Sequence, residues 1–547
     1  MSVVTATIVN SAKGTLPQNY SLMSVDVRRE LNRIPQASLV LIDGDPAQRK
    51  FALSDTEFFA PGALIQIKLR YEGKLRDTTV FMGKVVRHRI EANTRGSLLR
   101  VDLKDTAVKL TQTRRSAVFR DQSDADLMRK LLSNSGLRAG TIETTKPMHA
   151  EIVQYQCTDW DFIVSRADVN GLFVVAIDGK VSVRKMDLAA APKHKVEFGI
   201  TDLYDFEFEL DGSHQSKKIS SRGWSIKDQK LTALTAGTDI SLKQGGLGGA
   251  KFARDLGFGD CVLTHPVALG PDELKAWASA RSLRSRMSML RGRVSMAGLA
   301  KLALLDVIEI DGVGKRFNGK TPVTGICHRV DIEGWRTDLQ FGLSARSFSQ
   351  EADIHEEPAA GLLPAVSGLH IGVVDGFADD PDKHHRVKVL LPAIGAQGEA
   401  VWARLATPDA GKERGFAFRP ETGDEVVVGF FNQDPRQPVI LGALHSSKNG
   451  PPQDIGKPAK DNLKKGIVTR KGTKILFNDA DKPSLTLETA GKSKIVLDDD
   501  AESILISDKH GNKITLDKNG ITLQSAKDLT LKASGKVQIS GQTVDVK

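Results

Sequence analysis

GNKITLDKNGITLQSAKDLTLKASGKVQISGQTVDVK, residues 511–547, is the stretch whose reading decides the architecture. Pairs of apolar residues two apart, Ile514 and Leu516, Ile521 and Leu523, Leu529 and Leu531, Val537 and Ile539, Val544 and Val546, recur every seven or eight residues among Lys, Asp, Ser, Gly and Gln. The pattern extends backward through Ile504/Ile506, Ile495/Leu497, Leu485/Leu487 and Ile475/Phe477. Residues two apart share one face of a strand, so each strand offers a two-residue stripe on an otherwise polar surface. Burying so thin a stripe does not offset the conformational entropy of the residues in each repeat. The shortfall narrows if every strand is paired on both sides. A closed prism of three chains, each turning its stripe to a common axis, supplies pairing and burial together. A single-chain meander is the alternative, with Asp517-Lys-Asn-Gly520 as a fair hairpin turn. Periodicity leaves both open.

Upstream of the tail, two stretches rich in Pro, Gly and charge, Glu351 to Gly368 and Ser446 to Gly466, read as linkers. They bound a first region, 1–350, a linker, 351–365, a second region, 366–446, a further linker, 447–474, and the periodic tail, 475–547. The first region mixes strand-like runs such as Ala37–Ile42 and Leu64–Leu69 with helices beginning at Asp124 and Asp159, where an acidic residue precedes helical spacing. Its two ends resemble each other weakly. Leu64–Leu69 leads to Phe81–His88 and Leu98–Val101, as Asp306–Ile310 leads to Val323–His328 and Thr337–Gln340, which suggests two related β-barrels. The second region reads as five strands, Leu369–Phe377, Arg386–Leu391, Ala400–Thr407, Asp424–Phe431 and Pro438–His445, the content of an OB-like barrel.

A chain of 547 residues is too long for one ordinary domain, and 40% hydrophobic content is enough for several cores. No apolar run is long enough to span a bilayer, and the N-terminus lacks the order of a signal peptide, so the protein is expected to fold in the cytoplasm or to leave it by a route that reads no such signal. Cys157, Cys261 and Cys327 stand far apart, which argues against a disulfide framework or a structural zinc site. The net charge of +10 permits nucleic-acid contact without arguing for it. The densest basic stretch, Arg281 to Arg293, ends a helical pattern that begins near Pro271 and reads as a solvated face that complements the helix dipole.

Candidate chemistry is sparse. Gly314-Lys-Arg-Phe-Asn-Gly319-Lys320-Thr321 satisfies the P-loop pattern, but the required helix is replaced by the strand-like Pro322-Val-Thr-Gly-Ile-Cys, so a β-turn is expected. His384 and His385 stand beside Asp379, Asp380 and Asp382, yet adjacent strand residues point to opposite faces, and a charged hairpin loop is the expectation. The acidic runs Asp479/Asp481 and Asp498–Asp500 fall where tail strands turn. No catalytic, cofactor-binding or metal-binding constellation is found, and no enzyme is expected.

Taken together the regions resemble the VgrG-type spike proteins of contractile injection machines: type VI secretion, extracellular phage-tail-like particles and contractile phage baseplates. The most specific matches are RVKVLLP, Trp402, the run from Pro420 to Phe430 and that from Asp434 to Gly442. Looser ones are LNRIPQASLVLIDGDP, QYQCTDWDFIVSRADVNG and RFNGKTPVTGICHRVDIEGWRTDLQFGLS. The resemblance implies a mainly β fold with a few helices: a doubled β-barrel hub, a five-stranded OB-like barrel and a C-terminal intertwined trimeric β-helix. It implies a structural homotrimeric spike that adapts a hexameric inner tube to a threefold membrane-puncturing needle. Leu485, Leu487, Ile495, Leu497, Ile504, Ile506, Ile514, Leu516, Ile521, Leu523, Leu529, Leu531, Val537 and Ile539 would then pack at the trimer axis. Implied partners are the inner-tube protein, baseplate components, transiently a target membrane, and a PAAR-type tip protein. The tip protein would meet Val544, Val546 and Lys547, where the chain stops directly after a strand pair. No cofactor or nucleic acid is expected, and the protein would be assembled in an injection particle, extracellular or secreted on firing. The runner-up is a nucleic-acid-binding OB protein using Trp402, Phe416 and Phe418, although Trp402 and Phe430 fall in runs that look like barrel core. A P-loop enzyme using Lys320 ranks third.

Overall fold

The computed structural model describes residues 4–71, 74–94, 96–201, 203–393 and 399–547. The chain divides into two compact units, Met1–Glu356 and Glu357–Lys547.

Fourteen strands of the first unit form one sheet. Its strands alternate inward apolar and outward polar residues: Ala37, Leu39 and Leu41 of Gln36–Ile42 are buried while their neighbours are not. The doubling expected from sequence is present as two five-stranded halves with one hydrogen-bonding order. In the first half the order is Leu22–Glu30, Gln36–Ile42, Gly96–Lys104, Thr78–Asn93, Leu64–Tyr71. In the second it is Leu203–Leu210, Leu290–Ala297, Gly334–Phe341, Gly319–Asp331, Val307–Asp311. Each half has its own apolar core, one around Leu39, Phe59 and Ile67, the other around Val294, Ile308 and Phe341. The segment between them supplies a third core from two helices and the strands beside them.

Those helices are Asp124–Ser135 and Asp159–Val169. The aspartates are not the caps that the sequence suggests. Ser123 and Thr158 are, each accepting from the backbone N–H three residues on, because a hydroxyl just outside the first turn reaches that orphan donor. Asp124 is freed for another task. It is fully buried, and its carboxylate accepts from Arg166 at 2.7 and 3.1 Å and from Asn170 at 2.8 Å, with His149 at 3.2 Å. Arg166 also meets Glu273 at 3.2 Å, tying in the helix Pro271–Met287. The basic stretch Arg281 to Arg293, which fills the last turns of that helix and the start of the next strand, is not a solvated face either. Arg286 is 1% exposed and donates to Asp239, Gln215 and the Ser216 carbonyl, Arg281 and Arg284 donate to carbonyls of 344–346, and Arg291 and Arg293 pair with Glu209 and Asp205. A guanidinium with several fixed donors pins loops to a helix, which a sequence count of positive charge does not show.

His328, 1% exposed, faces Thr337 Oγ1 at 3.0 Å. Burial, reinforced by the charge of Arg29, lowers its pKa to about 3. The unfolded chain takes up this proton near pH 6.5 and the folded chain does not, so the stability contributed is present above that pH and is lost as pH falls toward 3. The hub is expected to lose about 1.4 kcal/mol of stability per pH unit across this window through His328. Thermal melts from pH 7.5 downward should show a shallower slope for His328→Gln than for the parent.

In the second unit His370–Gly376, Val387–Leu390, Val401–Leu405, Pro438–Ala443 and Glu425–Phe430 close a five-stranded barrel around Val374, Val387, Val389, Ala403, Val426, Val428 and Ile440. Trp402 is not part of that core. It stands opposite Lys388, on the face away from Val387 and Ala403, with Arg386 and Lys388 over its ring at 5.8 and 5.3 Å. Phe430 does pack against the core, whereas Phe416 and Phe418 are exposed.

Candidate functional site

The tail folds locally as an antiparallel meander of seven strands, from Lys464–Val468 to Gly520–Gln524, beginning before the expected Ile475. Acidic residues make its turns, Asp498 and Asp517 where sequence placed them and Asp508 besides. Asp498 accepts from the amides of Asp500 and Ala501, Asp508 from His510 and Asn512, and Asp517 from Asn519. Asp517 and Gly520 close a two-residue hairpin with Gly520 at φ 120°, a conformation that only glycine adopts without strain.

The register converts the apolar pairs into two continuous columns. Leu487 stands opposite both Ile475 and Ile495, Ile506 opposite Ile495 and Ile514, and Ile514 opposite Leu523. Beside them Leu485 faces Phe477 and Leu497, Ile504 faces Leu497 and Leu516, and Leu516 faces Ile521. Cross-strand neighbours at this spacing form a ladder of aliphatic contacts, which fixes register against a slip that would turn every side chain over. The opposite face carries Leu476, Thr486, Val496, Leu505, Thr515 and Thr522. Hydrogen bonding is thus satisfied along the meander while most of the stripe remains open: Leu487, Ile495, Leu497, Ile504, Ile506 and Ile514 are exposed, and Leu523 is 52% exposed. Leu485 and Leu516 are half-buried. Leu529, Leu531, Val537, Ile539, Val544 and Val546 are also exposed, and residues 525–547 form no strand within this chain. An aliphatic strip of this length, rimmed by charge, is a surface for another protein face.

The other candidates are placed as follows. Gly314 to Asn318 is a tight turn, with the Phe317 and Asn318 amides donating to the Gly314 carbonyl, and Gly319 opens the strand Gly319–Asp331. Lys320 lies in that strand, paired with Lys243 on one side and Glu309 on the other. Asp380 is held by the Arg386 guanidinium, which keeps its carboxyl well below the usual range, and Asp382 shares the same cation. The loop is an arginine-organised turn, with the His384 amide donating to Asp380.

Residues 1–331, more than half of the chain, match the family model of the Alg8 N-terminal domain. Residues 370–445 match the type VI secretion system/phage-baseplate injector OB domain, and residues 484–547 the phage baseplate V C-terminal trimerisation domain. The type VI secretion system spike protein VgrG1a of Pseudomonas aeruginosa is 28% identical over 404 residues, 68% of this chain and 60% of that protein. The chain belongs to the Alg8 N-terminal domain family and is a VgrG-like spike protein. A second spike protein of P. aeruginosa, VgrG1c, is 22% identical over 487 residues, 85% of this VgrG-like chain. The chain spans 65% of VgrG1c and 60% of VgrG1a, less than two thirds of either. The actin cross-linking toxin VgrG1 of Vibrio cholerae is 36% identical over 99 residues, 17% of this chain and 9% of the toxin. Among solved structures, the tail protein from Neisseria meningitidis MC58 is similar with a TM-score of 0.44 and 12% identity over 64% of this chain and 99% of that one.

For a VgrG-like spike the open stripe lies within the segment that matches a trimerisation domain. The pairs from Ile475/Phe477 to Ile521/Leu523 align as columns, whereas Leu529, Leu531, Val537, Ile539, Val544 and Val546 lie outside the strands.

Proposed function

We propose that this protein is the non-enzymatic, homotrimeric central spike of a contractile injection machine. The observation that carries the reading is the meander whose hydrogen bonds are satisfied while its paired apolar columns are open. Three copies turning these columns to one axis bury them together and form a threefold needle with Leu485 through Ile539 at its core. The Val544–Lys547 end would take a PAAR-type tip protein. The hub, built of two repeated halves, presents six equivalent halves in a trimer, which suits a hexameric inner tube and the surrounding baseplate, and contraction would drive the needle through a target membrane. Assembly in an extracellular particle or in one secreted on firing fits this role.

Light scattering on the full-length protein and on residues 1–446 tests the reading. A mass of three chains for the first and one for the second is expected, because apolar burial in the needle supplies most of the association energy. A monomer at both lengths would overturn it.

A further inference from the structure

We propose that the open edge of the strand Cys261–Thr264 takes up, by strand addition, an extended segment of a partner protein in which acidic and aliphatic residues alternate. This stands independently of the trimer reading above.

The two halves of the hub repeat register as well as order. Val85 stands opposite Leu103 and, after a slip, Arg87 opposite Asp102, as Val323 stands opposite Phe341 and, after a slip, Gly325 opposite Gln340. Leu22 faces Leu41 and then Ser24 faces Val40, as Leu203 faces Met296 and then Asp205 faces Ser295. Bulges at matching positions make Leu203–Leu210 and Leu290–Ala297 the counterparts of Leu22–Glu30 and Gln36–Ile42. The connection in the first half is residues 31–35, whereas in the second half it is residues 211–289. The hairpin closes with a short loop in one half, so the long insertion in the other serves something besides the sheet, as long connections on a rigid scaffold do.

The insertion carries a small sheet of its own. Ile219–Arg222 lies at its centre, with Thr235–Ala236 antiparallel on one side and Cys261–Thr264 parallel on the other. Backbone bonds lengthen the parallel pairing at both ends, from the Lys217 amide to the Gly259 carbonyl and from the Trp224 amide to the Val267 carbonyl. Among the described residues no strand takes the outer edge of Cys261–Thr264. The Cys261 and His265 amides donate inward, to the Lys218 and Arg222 carbonyls, so by alternation those of Val262 and Thr264 point to the open side. Pro266, at the next outward position, has no N–H and ends the ladder there. Edge strands left unpaired are usually blunted by charge, yet Cys261–Thr264 carries none. Val262 and Val267 are 42% and 47% exposed, with Phe258 open beside them in sequence.

The two faces of this edge set the chemistry of the occupant. Paired residues share a face, so Cys261 and Leu263 lie with Ile219 and Ser221 on the side of the helix Pro271–Met287. There Ser221 Oγ donates to the Leu274 carbonyl at 2.7 Å, and the His265 and Trp277 rings stand 6.4 Å apart. Leu263 is only half-buried on that side, which suits aliphatic side chains of an added strand. The other face carries Lys218 and Arg222. Arg222 Nε donates to Thr264 Oγ1 at 3.1 Å, which brings the guanidinium over the edge strand. Residues 217–230 hold Lys217, Lys218, Arg222, Lys227 and Lys230 against Asp228 alone, and among the described residues none of the five is in an ion pair. Carboxylates at alternate positions of the added strand complement that face, and the strand period of two puts aliphatic residues on the helix side. Positive charge also attracts nucleic acid, but a phosphate backbone offers no amides and carbonyls in register with an open strand.

The test is binding of a fluorescein-labelled peptide of four Glu-Val repeats to the full-length protein, read by fluorescence anisotropy. Saturable binding at peptide concentrations below about 1 mM is expected. The same peptide N-methylated at every amide keeps its charge and loses its ladder donors, and it should bind more weakly by about tenfold or more. The unmodified peptide should lose about as much against Lys218→Glu with Arg222→Glu, and a Lys-Val peptide should not bind. The N-methylated peptide is compared on the parent protein, so the result does not hang on the folding of a variant. No saturable binding overturns the proposal. Binding that the N-methylated peptide retains would show a surface read by charge alone, as nucleic acid reads it, and overturns strand addition. A peptide excluded because a second copy of the chain holds the edge would appear as a mass above three chains in light scattering, and overturns it as well. Binding is read on the hub whether the chain is monomeric or trimeric, so failure here leaves the trimer reading standing.

Discussion

Leu523→Asp is expected to convert the full-length trimer to monomers in light scattering. Leu523 stands opposite Ile514 in a column that continues to Ile506 and Ile495, and no atom of its own chain covers half of its surface. In the proposed prism three copies of this position meet near one axis. Removing three leucines forfeits roughly 5–9 kcal/mol of burial per trimer. Three carboxylates without a cation then add a desolvation cost that no rearrangement of a narrow prism relieves. Thr522→Asp, one residue away on the other face, is the matched control and should remain trimeric. A Leu523→Asp variant that stays trimeric on dilution would take Leu523 off the axis.

Asp124→Ala is expected to cost the hub about 3–5 kcal/mol in denaturant unfolding, since it leaves the Arg166 guanidinium buried with only Glu273 and His149 beside it and removes the acceptor that joins the first two helices. Burial alone would push the Asp124 carboxyl up, but hydrogen bonds from His149, Arg166 and Asn170 and the charge of Arg166 outweigh it and hold the pKa at about 2. Because this value is depressed, the stability it contributes, about 2 kcal/mol, is present above the unfolded value near 3.8 and is lost as pH falls through 2. Asp124→Ala should therefore be less sensitive than the parent to acid in that window. An unfolding midpoint within error of the parent would show that Arg166 is satisfied without Asp124.

Much of this was written in local pattern. The stripe residues of the tail, the five barrel strands and the two ends of the hub could be read from alternation alone, because a strand repeats every second residue and apolar spacing marks its buried face. What escaped was whatever depends on which side of a chain faces which neighbour. Trp402 looked like core, yet alternation across the barrel turns it outward beneath two cations. Arg286 looked solvated, yet a loop from 215–216 and Asp239 close over it. Ser123 and Thr158, not the aspartates beside them, cap the helices, because the difference is one residue of backbone conformation.

The sequence by itself determined the periodic tail, its turn residues and the strand content of the barrel, since each follows from intrinsic strand and turn chemistry within a few residues. Only the tertiary structure decided that the tail's pairs align into columns and that the two halves of the hub share their bulges. Register and edge exposure belong to pairs of strands far apart in the chain, and no single strand carries them.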